Sequence, residues 1–373
     1  MKYYLISGEA SGDLHGAHLI KALKQKDSNA EFRVWGGDLM QAEGATVVRH
    51  IDTLAYMGFW EVLKHLPEIL QNITLCKQDI LAFAPDAIVY IDYPGFNLRI
   101  ARWAKTKGFK NLYYISPQVW AWKEKRVLQM KRDLDALYVI LPFEKPFFED
   151  KHDFRVHFVG HPLLDYVNQH STSSTFLEKY PFSKAKPLIA LLPGSRIQEI
   201  KKILPLFVRV AKAYPELQFA IAKAPNLKEE VYFPYIKNTP ITLIHNHTYD
   251  LLKHSHTALV TSGTATLETA LFDVPQIVCY RSSLISYWIG KKIIRLRYIS
   301  LVNLILEQPA VPELIQNNCD VNTIRIALDE LMLPEKRSEM KKHYKKLKSL
   351  LGEAGASQKT AERIYNQLVS RQS

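Results

Sequence analysis

The chain is poor in cysteine: Cys76, Cys279 and Cys319 are the only three in 373 residues, odd in number and far apart. That argues against a disulfide framework and fits a reducing compartment. No Cys-x-x-Cys pair is present, and the pairs His245/His247 and His254/His256 lack a third ligand at a convincing spacing, so no metal site is expected. Equally absent is a run of about 18 uncharged apolar residues, the length a membrane-spanning helix needs. The opening run Tyr3-Tyr4-Leu5-Ile6 stops at Ser7-Gly8, too short for a signal peptide, and a cytosolic chain is the expectation. Neither Gly-x-Gly-x-x-Gly nor a P-loop motif occurs, which removes two common nucleotide-binding fingerprints.

What is present is bulk and positive charge. A length of 373 residues with 47% hydrophobic content buries a large core and suits two domains better than one. The formal net charge of +12 implies attraction to something anionic: nucleic acid, an acidic membrane surface or a phosphorylated substrate.

Short apolar runs alternate with helical patterns. Tyr3 to Ile6 reads as a strand, followed by the small-residue loop Ser7 to Asp13 and a helix through Leu14, Leu19, Ile20 and Leu23. Strands are expected again at Ala87 to Ile91, Leu112 to Ile115 and Ala136 to Leu141, and a second series at Leu188 to Leu192, Gln218 to Ala222, Thr257 to Thr261 and Gln276 to Cys279. This is the grammar of two doubly wound parallel α/β halves, with ligands bound at the carboxyl ends of the strands. A Ser/Thr-rich stretch after His170 marks the division, giving expected domains 1–172 and 173–345 and a helical tail 346–373.

Three strand ends carry candidate chemistry. At Thr261-Ser262-Gly263-Thr264-Ala265-Thr266-Leu267-Glu268 an apolar strand turns into a helix. There backbone amides meet a phosphate, Thr264 and Thr266 add hydroxyls, and Glu268 holds ribose hydroxyls; the same residues also read as a capping box with Glu268 folded back on the cap. At Leu192-Pro193-Gly194-Ser195-Arg196, a guanidinium at a helix start can grip a diphosphate bidentately, although a lone Arg there also serves as surface. At Ile91-Asp92-Tyr93-Pro94-Gly95-Phe96-Asn97, Asp92 is placed to take a proton from a sugar hydroxyl, or else to organise its own loop. Asp13 is a rival base or a helix cap, and His15, one turn into the first helix, is another candidate base or a packed residue. Asp133 and Asp135 have the spacing used by metal-dependent glycosyltransferases, but beside Lys131 and Arg132 a salt-bridged structural role is expected. The apolar set around Met57, Phe59 and Trp60, and the mixed segment Tyr287 to Arg297, read either as core or as an interfacial surface for anionic lipid.

Read in order, Ser7-Gly8-Glu9-Ala10-Ser11-Gly12-Asp13, Tyr56-Met57-Gly58, Ile91 to Asn97, Ser116-Pro117-Gln118-Val119-Trp120-Ala121-Trp122, Leu141-Pro142-Phe143-Glu144-Lys145, Val159-Gly160-His161-Pro162, Leu192 to Arg196, Ser262 to Glu268 and Ser300-Leu301-Val302-Asn303-Leu304 resemble the lipid-A-disaccharide synthase family. The likeness implies a GT-B fold, two Rossmann-like domains facing a cleft with a final helix crossing back. It implies an inverting glycosyltransferase that moves 2,3-diacylglucosamine from UDP to 2,3-diacylglucosamine 1-phosphate (lipid X), releasing UDP without cofactor or metal. Carried onto this chain, the resemblance makes Asp92 the base and assigns the donor to Arg196, Ser262, Gly263, Thr264, Ala265, Glu268 and Asn303. It places Ser11, Gly12, Asp13, His15 and Asn97 around the acceptor and Met57, Phe59 and Trp60 against acyl chains or membrane. It further implies a cytoplasmic protein held peripherally at the anionic inner membrane, as monomer or homodimer, with no nucleic-acid partner. Two positions depart from the family pattern: many relatives have Asp where Gly95 stands, and an aliphatic residue is common at His15. A UDP-GlcNAc 2-epimerase, a muropeptide GlcNAc transferase or a non-catalytic nucleotide-sugar binder are the alternatives.

Overall fold

The computed structural model describes residues 1–54, 66–170, 175–180, 182–282 and 297–370. Met57, Phe59 and Trp60, and the segment Tyr287 to Leu296, lie outside them. The chain divides into two compact units, Met1–Pro162 with Glu353–Ser373, and Leu163–Gly352.

The first unit is built on seven strands: β1 (Lys2–Ile6), β2 (Glu31–Gly36), β3 (Thr46–His50), β4 (Ala87–Ile91), β5 (Asn111–Tyr114), β6 (Ala136–Val139) and β7 (His157–Phe158). They are hydrogen-bonded in the order β3-β2-β1-β4-β5-β6-β7, all parallel. The chain winds outward from β1 to β3, returns, and winds the other way from β4. The two central strands are in register from Tyr3 opposite Ala87 to Ile6 opposite Tyr90, so their carboxyl ends emerge side by side. Parallel strands buried on both faces must be apolar throughout. This sheet meets that demand with tyrosines, and each buried hydroxyl then needs a partner. Tyr4 donates to Asp79 at 2.8 Å and accepts from the Trp35 indole at 2.8 Å, while Tyr90 donates to Asn111 at 2.9 Å.

The second unit has six parallel strands, β8 (Leu188–Leu192), β9 (Gln218–Ala222), β10 (Thr242–Ile244), β11 (Thr257–Thr261), β12 (Gln276–Tyr280) and β13 (Glu313–Ile315), ordered β10-β9-β8-β11-β12-β13. Its reversal falls between β8 and β11, with Leu192 opposite Val260. Here most of the buried strand residues are aliphatic, among them Leu188, Ala190, Leu192, Ala220, Ile244 and Val260. The helix Ile197–Lys212 turns Ile200, Ile203, Leu204 and Phe207 onto the sheet. Burying each such side chain contributes about 1.5–3 kcal/mol.

The terminal helix Ala356–Val369 belongs to the first unit, where it packs along the helix Ala10–Lys26. Lys26 pairs with Glu362 at 3.7 Å, and Tyr138 of β6 donates to Gln367 at 3.4 Å. Among the described residues no helix is long and apolar enough to cross a membrane.

Candidate functional site

In an open parallel sheet the crevice at the point where strand order reverses is the natural ligand site, because the loops there part to opposite faces. Both units place candidate residues at that point.

In the first unit, β1 runs into Ser7-Gly8-Glu9 and β4 into Asp92-Tyr93. Asp92 and Tyr93 both have left-handed backbone, at φ 45° and 49°. A tyrosine rarely adopts that conformation, and two successive residues held in it require outside support. Asn97 supplies it: fully buried, its amide donates to the Asp92 carbonyl at 2.7 Å and reaches the carbonyls of Ile6 and Ile91 at 3.3 and 3.4 Å. The Tyr113 hydroxyl also donates to the Asp92 carbonyl. Gly8 lets the first loop close on this turn, since a Cβ there would lie 2.4 Å from the Tyr93 ring. The outcome is an exposed carboxylate on a fixed backbone. The surrounding protein, and secondarily the charge of Glu9, raise its pKa to about 6.

The other first-unit candidates sort by their partners. Asp13 is buried and accepts from the amides of Gly37, Leu39 and Met40 at 2.7, 3.0 and 3.2 Å, which caps the helix Asp38–Ala42 rather than its own. That corrects its place among the acceptor residues, because its two oxygens are taken up by three amides of the fold. His15 is pushed down to about 4 by burial and by neighbouring His18, and His161 to about 3 by burial and His15. A proton acceptor near 4 is weaker than Asp92 near 6 at neutral pH. Gly12 is buried because its missing side chain admits Ser7, whose Cβ would sit 2.8 Å away, and Ser11 is exposed on the first helical turn. Asn97, expected near the acceptor, is instead the brace beneath Asp92. Gly95 has nothing within 4 Å of a Cβ position, so an Asp fits there without displacement.

Two residues in the recognised motifs escaped assignment. Glu9 acts on both Asp92 and Tyr93, raising each. Buried Glu144 accepts from the amides of Ile140 and Leu141 at 3.1 and 2.8 Å and from the Trp120 indole at 3.3 Å, tying the Trp120 loop to the end of β6, and burial raises it to about 7. A carboxylate in the first turn after an apolar strand was the available signal.

In the second unit, β8 leads to Arg196 and β11 to Gly263. The Arg196 guanidinium is exposed and lies 3.7 Å from Glu199. The amides of Ser195 and Arg196 already donate to the Glu199 carboxylate, at 3.0 and 3.3 Å. The expected dipole contribution at this helix start is thus met internally, and the guanidinium remains as the group available to an anion. At β11 the relation is reversed. Gly263 has open space where a Cβ would be, and Thr264 and Ala265 are the first residues of the helix Thr264–Leu271, whose leading amides have no carbonyl a turn earlier to accept from them. The Ser262 hydroxyl donates to Ile299 at 2.8 Å.

The Thr266 hydroxyl donates to the Gly263 carbonyl at 2.8 Å and is fully buried, so it adds no ligand donor. Buried Asn303 donates to Val311 and Glu313, both at 2.9 Å, and accepts from Val311 at 2.9 Å, so its polar atoms brace the approach to β13 instead of facing a donor. The capping-box alternative for Glu268 also fails: the cap is Gly263, without a side chain, and Thr266 occupies the reciprocal position. The Glu268 carboxyl is left without a hydrogen bond among the described residues, and burial raises it to about 7.

Asp133 is engaged by Arg132 at 2.6 Å, and Asp135 by Lys105 at 3.1 Å and the Asn111 amide at 2.8 Å, as the expected structural role requires. Among the described residues no group of three or more His, Cys, Asp or Glu side chains is arranged to hold a metal ion.

The family model described as lipid-A-disaccharide synthetase matches residues 3–367. Proteins named lipid-A-disaccharide synthase from Nitrosococcus oceani and Coxiella burnetii are 39% and 36% identical to the chain. They match 96% and 98% of it, and 94% and 98% of their own lengths. One from Myxococcus xanthus is 34% identical over 98% of the chain and 97% of its own length. Among solved structures, a UDP-GlcNAc 2-epimerase from Neisseria meningitidis bound to UDP-GlcNAc superposes with a TM-score of 0.65 at 13% identity, covering 100% of both chains. A glycotransferase of kitacinnamycin gives 0.65 at 12% identity over 98% of each. The structural likeness establishes the GT-B architecture, and the sequence likeness goes further: the chain belongs to the lipid-A-disaccharide synthetase family, glycosyltransferases of lipid A biosynthesis.

Proposed function

We propose that the chain joins two acylated glucosamines, with 2,3-diacylglucosamine passing from UDP to the 6-hydroxyl of 2,3-diacylglucosamine 1-phosphate. The observation that carries the residue assignment is Asp92, an exposed carboxylate with its pKa raised to about 6, on a backbone fixed from below at a sheet reversal. In a single displacement the acceptor oxygen forms a bond to the anomeric carbon, the bond from that carbon to the UDP oxygen breaks, and the hydroxyl proton passes to Asp92. The configuration inverts. Negative charge grows on the departing diphosphate, where the Arg196 guanidinium and the amides of Thr264 and Ala265 answer it, as preorganised donors do best in a partly desolvated site. Glu268 accepts from ribose hydroxyls, which its lack of an internal partner supports.

We further infer that the protein works peripherally at an anionic membrane surface, as monomer or homodimer. The net charge of +12 and the absence of a membrane-spanning helix among the described residues support the membrane part of this reading.

A UDP-release assay with the two acylated sugars tests the reaction. One β-linked disaccharide 1-phosphate is expected for each UDP released. UDP release only from unacylated UDP-GlcNAc, or epimerisation of that sugar, overturns it.

A further inference from the structure

The second unit has another concentration of positive charge that the reaction does not use. A cavity of about 520 Å³ lies between the helix Ile197–Lys212 and the ends of β12 and β13. Lys201, Lys202, Arg209 and Arg281 line it, and among the described residues no carboxylate does. Lys202 and Arg209 are seven residues apart, two helical turns along one face, with Leu206 as an apolar floor between them.

The opposite wall is built rather than incidental. Arg281 donates through Nε to the Gln316 carbonyl at 3.2 Å. The Gln316 side chain accepts from the Ser282 amide at 3.2 Å and donates to the Ser282 hydroxyl at 2.9 Å. Gln316 pairs both ways from a left-handed backbone, φ 53°, a conformation that costs free energy and persists only where its surroundings hold it.

The nearby acids are engaged elsewhere. Glu199, a turn before Lys202, holds the amides of Ser195 and Arg196, and Asp320, whose charge reaches Arg281, caps the helix Val321–Met332 through Asn322 and Thr323. None of the four cations is in an ion pair with a described carboxylate. Like charges gathered without an ion-paired counter-charge repel, and a multivalent anion relieves that repulsion while accepting several charge-assisted hydrogen bonds.

We propose that this cavity binds a phosphate-bearing anion of two or more negative charges, at a site separate from the diphosphate site of Arg196. The same chemistry is offered by a soluble polyphosphate and by a phospholipid headgroup, and the test separates the sources. Pyrophosphate is titrated by calorimetry into full-length protein first saturated with UDP, and the protein is sedimented with vesicles of phosphatidylcholine alone or mixed with phosphatidylglycerol. The comparison is the double variant Lys202→Gln, Arg209→Gln, of which Lys202 is half-buried and Arg209 exposed.

Pyrophosphate binding that persists under saturating UDP and weakens by about tenfold or more in the variant supports the site. If vesicle binding falls in parallel, and pyrophosphate releases the vesicles, the headgroup is the source; if only pyrophosphate binding falls, the source is soluble. UDP affinity is expected to stay unchanged in the variant. Equal binding of both probes by variant and wild type overturns the proposal, as does complete displacement of pyrophosphate by UDP. A second variant, Arg281→Gln, is expected to reproduce the loss; unaltered binding there confines the site to the helix face and overturns the cavity as drawn. Failure of UDP to bind at all is a failure of the proposed reaction, and pyrophosphate titrated without it still reads the cavity.

Discussion

The two units share a fold plan and differ in what each puts at its sheet reversal. The first presents a carboxylate on a distorted backbone, held by Asn97 and Tyr113 from beneath. The second presents donors: a guanidinium after β8, and open amides in the turn after β11. The cores differ in the same sense. Tyrosines with paired hydroxyls pack the first sheet and extend polar bracing up to Asp92, while the second sheet is mainly aliphatic, with Gln276 of β12 donating to the Thr266 carbonyl at 2.8 Å. In the proposed reaction the first reversal would accept the proton and the second would receive the negative charge.

That contrast breaks most sharply at Asp92. Asp92→Asn is expected to lower turnover by about 10²–10⁴-fold with UDP affinity nearly intact. Steady-state rates beside calorimetric titration of UDP would show it, and near-normal turnover would take the base role away from the first unit.

A smaller effect is expected at Arg196, in the opposite pattern. Arg196→Ala should weaken UDP by about 10–100-fold, the worth of lost charge-assisted hydrogen bonds, and slow the reaction as well. An unchanged affinity in the same titration would place the diphosphate on the Gly263 turn alone.

The finest test concerns the acid side of the pH profile. With its pKa raised to about 6, Asp92 is a base only above that pH, so turnover should fall as pH drops through about 6. Part of the rise comes from the negative charge of Glu9. Glu9→Gln should therefore move the acidic limb to lower pH, leaving the plateau and UDP affinity in place. A limb that stays put would show that desolvation by the surrounding protein sets the Asp92 pKa without Glu9, and one that moves up would show that Glu9 does not raise it.

The layout of both sheets was legible because fully buried parallel strands leave little choice of residue. Tyr3 to Ile6, Ala87 to Ile91, Leu188 to Leu192 and Thr257 to Thr261 are apolar runs that end in small or polar residues, and each is a strand at the expected place. β2 and β3 went unread because Glu31 to Gly36 and Thr46 to His50 mix charged with apolar residues, as strands toward a sheet edge do when part of their surface meets water. The expected strand Leu112 to Ile115 ends one residue early, where Ile115 turns left-handed at φ 65°.

Sequence by itself determined the alternation of strand and helix, the family, and the positions of Asp92, Arg196 and Gly263 at strand ends, because periodicity and short motifs are local properties. Only the tertiary structure decided which polar side chains are available. Asp13, Asn97, Thr266 and Asn303 have the same chemistry as ligand-binding residues, yet each is engaged by backbone groups distant in sequence or buried in a turn. A hydrogen-bonding side chain does not carry in its own identity whether its partner is a ligand or the fold. That is settled by which amides and carbonyls the packed chain brings within reach of each side chain, because a buried polar group that can pair with the fold gains by doing so.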